Sequence, residues 1–145
     1  MVPALHRREK RGGSRRIAVE QSQTVRPQTG ETEHAIDEWR RNPDEQSAIG
    51  CAHVRFTSGA RTAWHSHPKG QTLYVTDGIG YVAGRTGEIH EVRPGDVVYI
   101  EPGEEHWHGA TLDRFMAHVA LQEADDDGQV VTWLDHVTED EYTVS

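Results

Sequence analysis

Cysteine is nearly absent from this chain: Cys51 is the single one in 145 residues. One thiol cannot close an internal disulfide, and without a neighbouring histidine or cysteine it reads as a small packing residue rather than a nucleophile. Long apolar runs are absent too. No stretch approaches the roughly 20 residues that a membrane helix needs, and the N-terminus lacks the apolar segment and small-residue cleavage site of a secretory signal. A cytoplasmic location is therefore expected, with no membrane as partner. Basic charge is outweighed by acidic charge in the body of the chain. The formal net charge is −9, although Arg7, Arg8, Lys10, Arg11, Arg15 and Arg16 crowd the leader against Glu9 alone. The remainder is thus more acidic than the total indicates, which argues against nucleic acid as a partner, since a phosphate backbone requires a basic folded surface. Neither an internal repeat nor a helix-turn-helix pattern is present.

What remains fits one modest domain. Residues 1–16 have almost no apolar content and a Gly-Gly-Ser break, so a disordered basic leader is expected there. Residues 17–47 read as an N-terminal arm that adds an edge strand and contains a short helical turn near Ile36 to Arg40. From 48 to 145 the texture changes. Short apolar runs such as "QTLYVTDG", "DVVYIEPG" and "FMAHVALQE" alternate with turns at Asp77-Gly78, Arg85-Thr86-Gly87, Pro94-Gly95-Asp96 and Pro102-Gly103. Strands of that length at that spacing predict an all-β sandwich or barrel. The cluster beginning at Thr138 has the form of a helix start, so one short C-terminal helix completes the expected fold.

Two histidine pairs carry the chemistry. His65 and His67 stand at i, i+2 in "TAWHSH", and His106 and His108 repeat the spacing in "EEHWHGA". On a strand each pair points to one side of the sheet. Two hairpins with inward histidines can converge inside one barrel, where unpaired imidazoles are costly unless hydrogen bonds or a metal satisfy them.

The run Gly59, His65, His67, Gln71, Gly78 resembles the first motif of the cupin superfamily, G-x5-H-x-H-x3-E-x6-G, with Gln in place of Glu. The run Gly95, Gly103, His106 resembles the second, G-x5-P-x-G-x2-H-x3-N, with Glu101 and Ala110 at its Pro and Asn positions. The segments "SGARTAWHSHPKGQTLYV", "RPGDVVYIEPGEEHWHGA", "MAHVALQE" and "WLDHVTEDEY" are similar to those of the manganese-containing cupin hydroxynitrile lyases. The resemblance implies a jelly-roll (double-stranded β-helix) barrel with a divalent ion on His65, His67, Gln71 and His106. Mn2+ is the ion expected first, with Fe2+, Ni2+ and Zn2+ as alternatives. Ala52, Val54 and Thr62 are implied to line a substrate pocket, and a homodimer or higher homo-oligomer is implied as the assembly.

Three imidazoles and an amide leave the ion's charge uncompensated, which favours Lewis acidity over tight binding. His108 shares the face of His106 but lies further along the strand, where it would act as general base. His118 and Gln122 share one parity and are expected beside it. Cys51 and His53 are expected to point away, Trp64 and Trp107 to pack outside the barrel, and His90 and His136 to lie at the surface. The function expected first is a metal-dependent lyase that converts a small hydroxylated compound, a cyanohydrin in the specific form, to an aldehyde plus cyanide. The alternatives are a dioxygenase using iron, nickel or copper and a non-catalytic barrel that holds a metal and binds a small molecule.

Overall fold

The computed structural model describes residues 23–25 and 36–143, with side chains from 36 onward; the expected leader lies outside the described residues. Eleven strands and one short helix follow in order: β1 Gln23–Val25, β2 Ile36–Arg41, β3 Ile49–Phe56, β4 His65–Ser66, β5 Gln71–Gly78, β6 Gly80–Gly84, β7 Ile89–Val92, β8 Val97–Ile100, β9 His106–Ala110, β10 Met116–Glu123, β11 Thr132–Trp133 and α1 Glu139–Tyr142. They form a six-stranded sheet, β1-β2-β3-β10-β5-β8, facing a five-stranded one, β11-β4-β9-β6-β7. Every pairing is antiparallel, as in the jelly-roll barrel that the resemblance implies. Among the described residues no helix is long and apolar enough to cross a membrane.

The alternation of the sequence sets the two faces of each strand. β3 buries Gly50, Ala52, Val54 and Phe56 while Ile49, His53 and Arg55 are exposed. β5 and β10 do the same with Leu73, Val75, Met116 and Ala120, and these residues meet between the sheets in one apolar core. The hairpin turns fall where glycine permits them. Gly78 has φ of 75°, and a Cβ there would strike the carbonyl oxygen of Phe115, so the turn tolerates no side chain.

One expectation fails. Ile36 to Arg40 is not a helical turn but the body of β2, paired along its length with β3 from Ile36↔Phe56 to Arg41↔Cys51. Local propensity yields here because the β3 edge offers a full ladder of backbone partners, and Ile36 reaches the core only from an extended chain. β1 then adds to β2, so the arm supplies the edge of the larger sheet.

A second apolar cluster lies outside the barrel. Trp64 and Trp107 point away from the interior, as their parity requires, yet they are 3% and 1% exposed because Val137 and Tyr142 of the C-terminal segment cover them. Arg61 binds that segment down: it donates to the Val137 carbonyl at 3.2 Å and to Glu139 at 3.0 Å, with its guanidinium 4.3 Å above the Tyr142 ring. The helix is capped at Thr138, whose hydroxyl accepts from the Glu141 N–H while the Glu141 side chain accepts from the Thr138 N–H. His90 and His136 are exposed.

Candidate functional site

The imidazoles converge because β4 and β9 are neighbours in the smaller sheet. His65 stands directly opposite His106 in register, and their ring centroids are 4.2 Å apart. His67 follows one residue beyond β4 with its ring 5.1 Å from that of His65 and 5.4 Å from that of His106. The turn after it closes through the His67 carbonyl, which accepts from Gly70 N–H at 3.1 Å and Gly103 N–H at 2.9 Å. That closure delivers Gln71 to the start of β5, opposite Gln122 on β10.

Each of these histidines has one nitrogen tied to a backbone carbonyl. His65 Nδ1 donates to Ala63 at 2.9 Å, His67 Nδ1 to Val130 at 2.9 Å and His106 Nδ1 to Glu104 at 3.0 Å. A neutral imidazole that donates through Nδ1 carries its lone pair on Nε2. All three are held neutral: burial drives His65 well below its usual value, lowers His67 and lowers His106 to about 4. The neighbouring imidazoles reinforce the shift at His65 and His106.

The amide completes the pattern. Gln71 Nε2 donates to Gln122 Oε1 at 3.0 Å, which leaves Gln71 Oε1 facing His106 Nε2 at 3.2 Å. With Nδ1 of His106 protonated, that contact joins two lone pairs with no proton between them. His67 Nε2 is buried with no partner among the described residues. Opposed lone pairs and an orphaned ring nitrogen are costly in a dry interior, and a cation satisfies them together. The residues present therefore fit a divalent ion held by neutral nitrogen and oxygen donors.

His108 stands closer than its strand position suggests. Ring nitrogens of His65, His106 and His108 lie within 4.8 Å of one another. This makes His108 a further candidate donor. Its Nδ1 is engaged, however, lying 3.2 Å from His118 Nε2, while its Nε2 is buried without a partner, as is His118 Nδ1. Burial pushes His108 well below the usual imidazole range and His118 to about 4. Thr62 Oγ1 accepts from the His108 N–H at 3.2 Å. That loop reaches β9 because Gly109 has no side chain: a Cβ there would lie 2.6 Å from Arg61 Cα.

A cavity of about 400 Å³ opens beside these groups. Ala52, Val54, Thr62, His118 and Gln122 all contribute to its wall. His53 is exposed, and Cys51 is free and half-buried. Two contributions lay beyond sequence reading. Trp133 on β11 pairs with His65 and sets its indole 4.8 Å from that ring, and Glu38 and Arg40 of β2 line the opposite side. Both come from segments whose local pattern carried no site signal.

The cupin domain profile matches residues 52–120. The chain is 50% identical over 107 residues to the (R)-mandelonitrile lyase of Granulicella tundricola, covering 74% of this chain and 80% of that protein. Among solved structures, a cupin-like protein from Thermotoga maritima aligns with a TM-score of 0.69 at 35% identity, over 81% of this chain and 92% of its own. The polyketide cyclase RemF from Streptomyces resistomycificus shares the fold alone, with a TM-score of 0.59 and 19% identity over 98% of this chain and 91% of its own. A buried three-histidine group that could hold a metal, two facing antiparallel sheets and a 50% identical relative place this chain in the cupin family.

Proposed function

We propose that this cupin is a metal-dependent lyase acting on a small hydroxylated or carbonyl compound, in the form of cyanohydrin cleavage to aldehyde plus cyanide. The observation that carries the reading is the pairing of neutral, inward-facing donors with an unpartnered His108 Nε2 on one cavity. His65, His67, Gln71 and His106 would hold the ion, and Mn2+ is proposed first. A bound divalent ion supplies Lewis-acid polarisation of the substrate oxygen.

The chain's own groups account for the proton. With His108 Nδ1 donating to His118 Nε2, the lone pair of His108 lies on Nε2 and takes the hydroxyl proton. The electrons of that O–H bond form the carbonyl as the carbon–carbon bond breaks, and the departing cyanide keeps the bonding pair. His108 then returns its proton to cyanide, which leaves as hydrogen cyanide. His118 fixes the tautomer and orientation of His108. Gln122 accepts from Gln71 through Oε1, so its amide N–H groups remain to orient substrate. The apolar wall at Ala52 and Val54 leaves space for an aryl or alkyl group.

The test is cleavage of racemic mandelonitrile by manganese-loaded protein, chelator-stripped protein and a loaded His108→Ala variant. Turnover is expected in the loaded wild type alone, with the variant slower by about 10²-fold or more, as for loss of a general base. Equal turnover with and without metal, or in the variant, defeats the reading. Silence in every sample turns attention to oxygen consumption by the iron-loaded protein.

A further inference from the structure

We infer that the substrate carries a carboxylate, and that Arg40 receives it. The inference rests on the cavity reading above and extends it to the class of substrate. The register of the larger sheet places Arg40 beside Ala52 on β3, with Ala52 beside Ala120 on β10. Glu38 stands in the same way beside Val54, which faces His118, and one inward row further along, Gly50 faces Gln122. Arg40 therefore lies between the rows of His118 and Gln122, two strands away, a separation of roughly 10 Å at the usual strand spacing. The inward residues of β3 between them are Gly50, Ala52 and Val54, none larger than valine.

Arg40 is under-employed where it stands. Its Nη2 donates to Glu38 Oε1 at 2.9 Å, its Nε is buried with no partner among the described residues, and the side chain keeps 32% of its surface open. A guanidinium has five N–H donors in a fork suited to a carboxylate. The cavity also reverses the sign of the molecule. The chain carries a net −9, yet Arg40, Arg41 and Arg61 line this cavity against one carboxylate, Glu38. Arg41 and Arg61 pair with Asp44 and Glu139, and Arg40 pairs with Glu38 through Nη2, so what Arg40 has left for an anion is its unpaired Nε. The imidazole and amide donors at the far end bring no negative charge of their own. A compound with a hydroxyl or carbonyl at the histidines and a carboxylate at the mouth satisfies both ends.

Calorimetric titration with 4-(hydroxymethyl)benzoate and with its methyl ester separates charge from shape. The wild-type protein should prefer the acid by about tenfold, the scale of one charge-assisted pair. Arg40→Gln should remove that preference, and Glu38→Gln should raise affinity for the acid by freeing the guanidinium, with metal content measured in each. Equal binding of acid and ester by the wild type, or the two substitutions moving the preference in the same direction, overturns the inference. Mandelonitrile has no charge at this end. Its cleavage tests the lyase reading alone, and the acid-to-ester ratio tests Arg40 alone.

Discussion

The two sides of β9 make an instructive pair. All five residues, His106 to Ala110, are buried, but burial means different things on each side. Outside, Trp107 packs with Trp64 and Tyr142, and the polar atoms there find partners. Tyr142 Oη donates to the Ala110 carbonyl at 2.6 Å, Trp64 Nε1 donates to Glu141 at 3.2 Å, and Arg61 binds Val137 and Glu139. Arg61 Nε alone goes unpaired there. Inside, His67 Nε2, His108 Nε2 and His118 Nδ1 have no partner, and two lone pairs oppose each other at 3.2 Å. Three such atoms on one face call for an ion, an ordered water or a ligand to satisfy them. The outer face is closed by its own partners, and the inner face presents atoms that a ligand could satisfy.

That contrast can be broken most directly at the ligands. His65→Ala or His106→Ala should lose the bound metal, and the accompanying loss of thermal stability should disappear when wild type and variant are compared in chelator, because a ligand of the native state stabilises by mass action. Turnover should fall by about 10³-fold or more with the Lewis acid gone. Metal content unchanged in both variants would remove these residues from the site.

On the outer side, Trp107→Ala should cost about 3–5 kcal/mol of unfolding free energy through the cavity it leaves. Chemical denaturation followed by circular dichroism reads this directly. Metal affinity should shift far less than stability. If metal binding fell as steeply as in the ligand variants, the two sides would not be separable.

Acid should separate the sides by pH. His118 is held at about 4 in the folded protein against a usual 6.5, and His65 and His108 are lowered in the same direction. The unfolded chain therefore takes up protons first as pH falls. Metal-free protein should keep its full stability above about pH 6.5 and lose it progressively toward pH 4. Glu141 in the outer cap is also lowered, by the Thr138 N–H, from a usual 4.5. Its stabilising contribution is complete above that value and is lost only at lower pH. Denaturation midpoints that stay flat between pH 7 and pH 5 would contradict the inner-side shifts.

Much of this was legible in the chain because it is encoded over short distances. The i, i+2 spacing of His65 with His67 and His106 with His108 fixes their common face through the strand period, and the glycine turns mark where each strand ends. Parity alone put Trp64 and Trp107 on the side opposite the neighbouring histidines and gave His118 and Gln122 one common face. The strand at Ile36 to Arg41 was misread because its local pattern is weak and its state is decided by the β3 ladder. The cover over Trp107 was missed for the same reason.

Sequence by itself determined the fold class, the types of candidate donor and the order in which they come, since period, turn chemistry and donor identity are properties of neighbouring residues. Tertiary structure alone decided that the Val130 carbonyl would orient His67, that His118 would meet His108, that Trp133 would lie against His65 and that Arg40 would face the cavity. Those contacts join segments far apart in the chain. No local pattern specifies them, because they form only when the strands find their places in the two sheets.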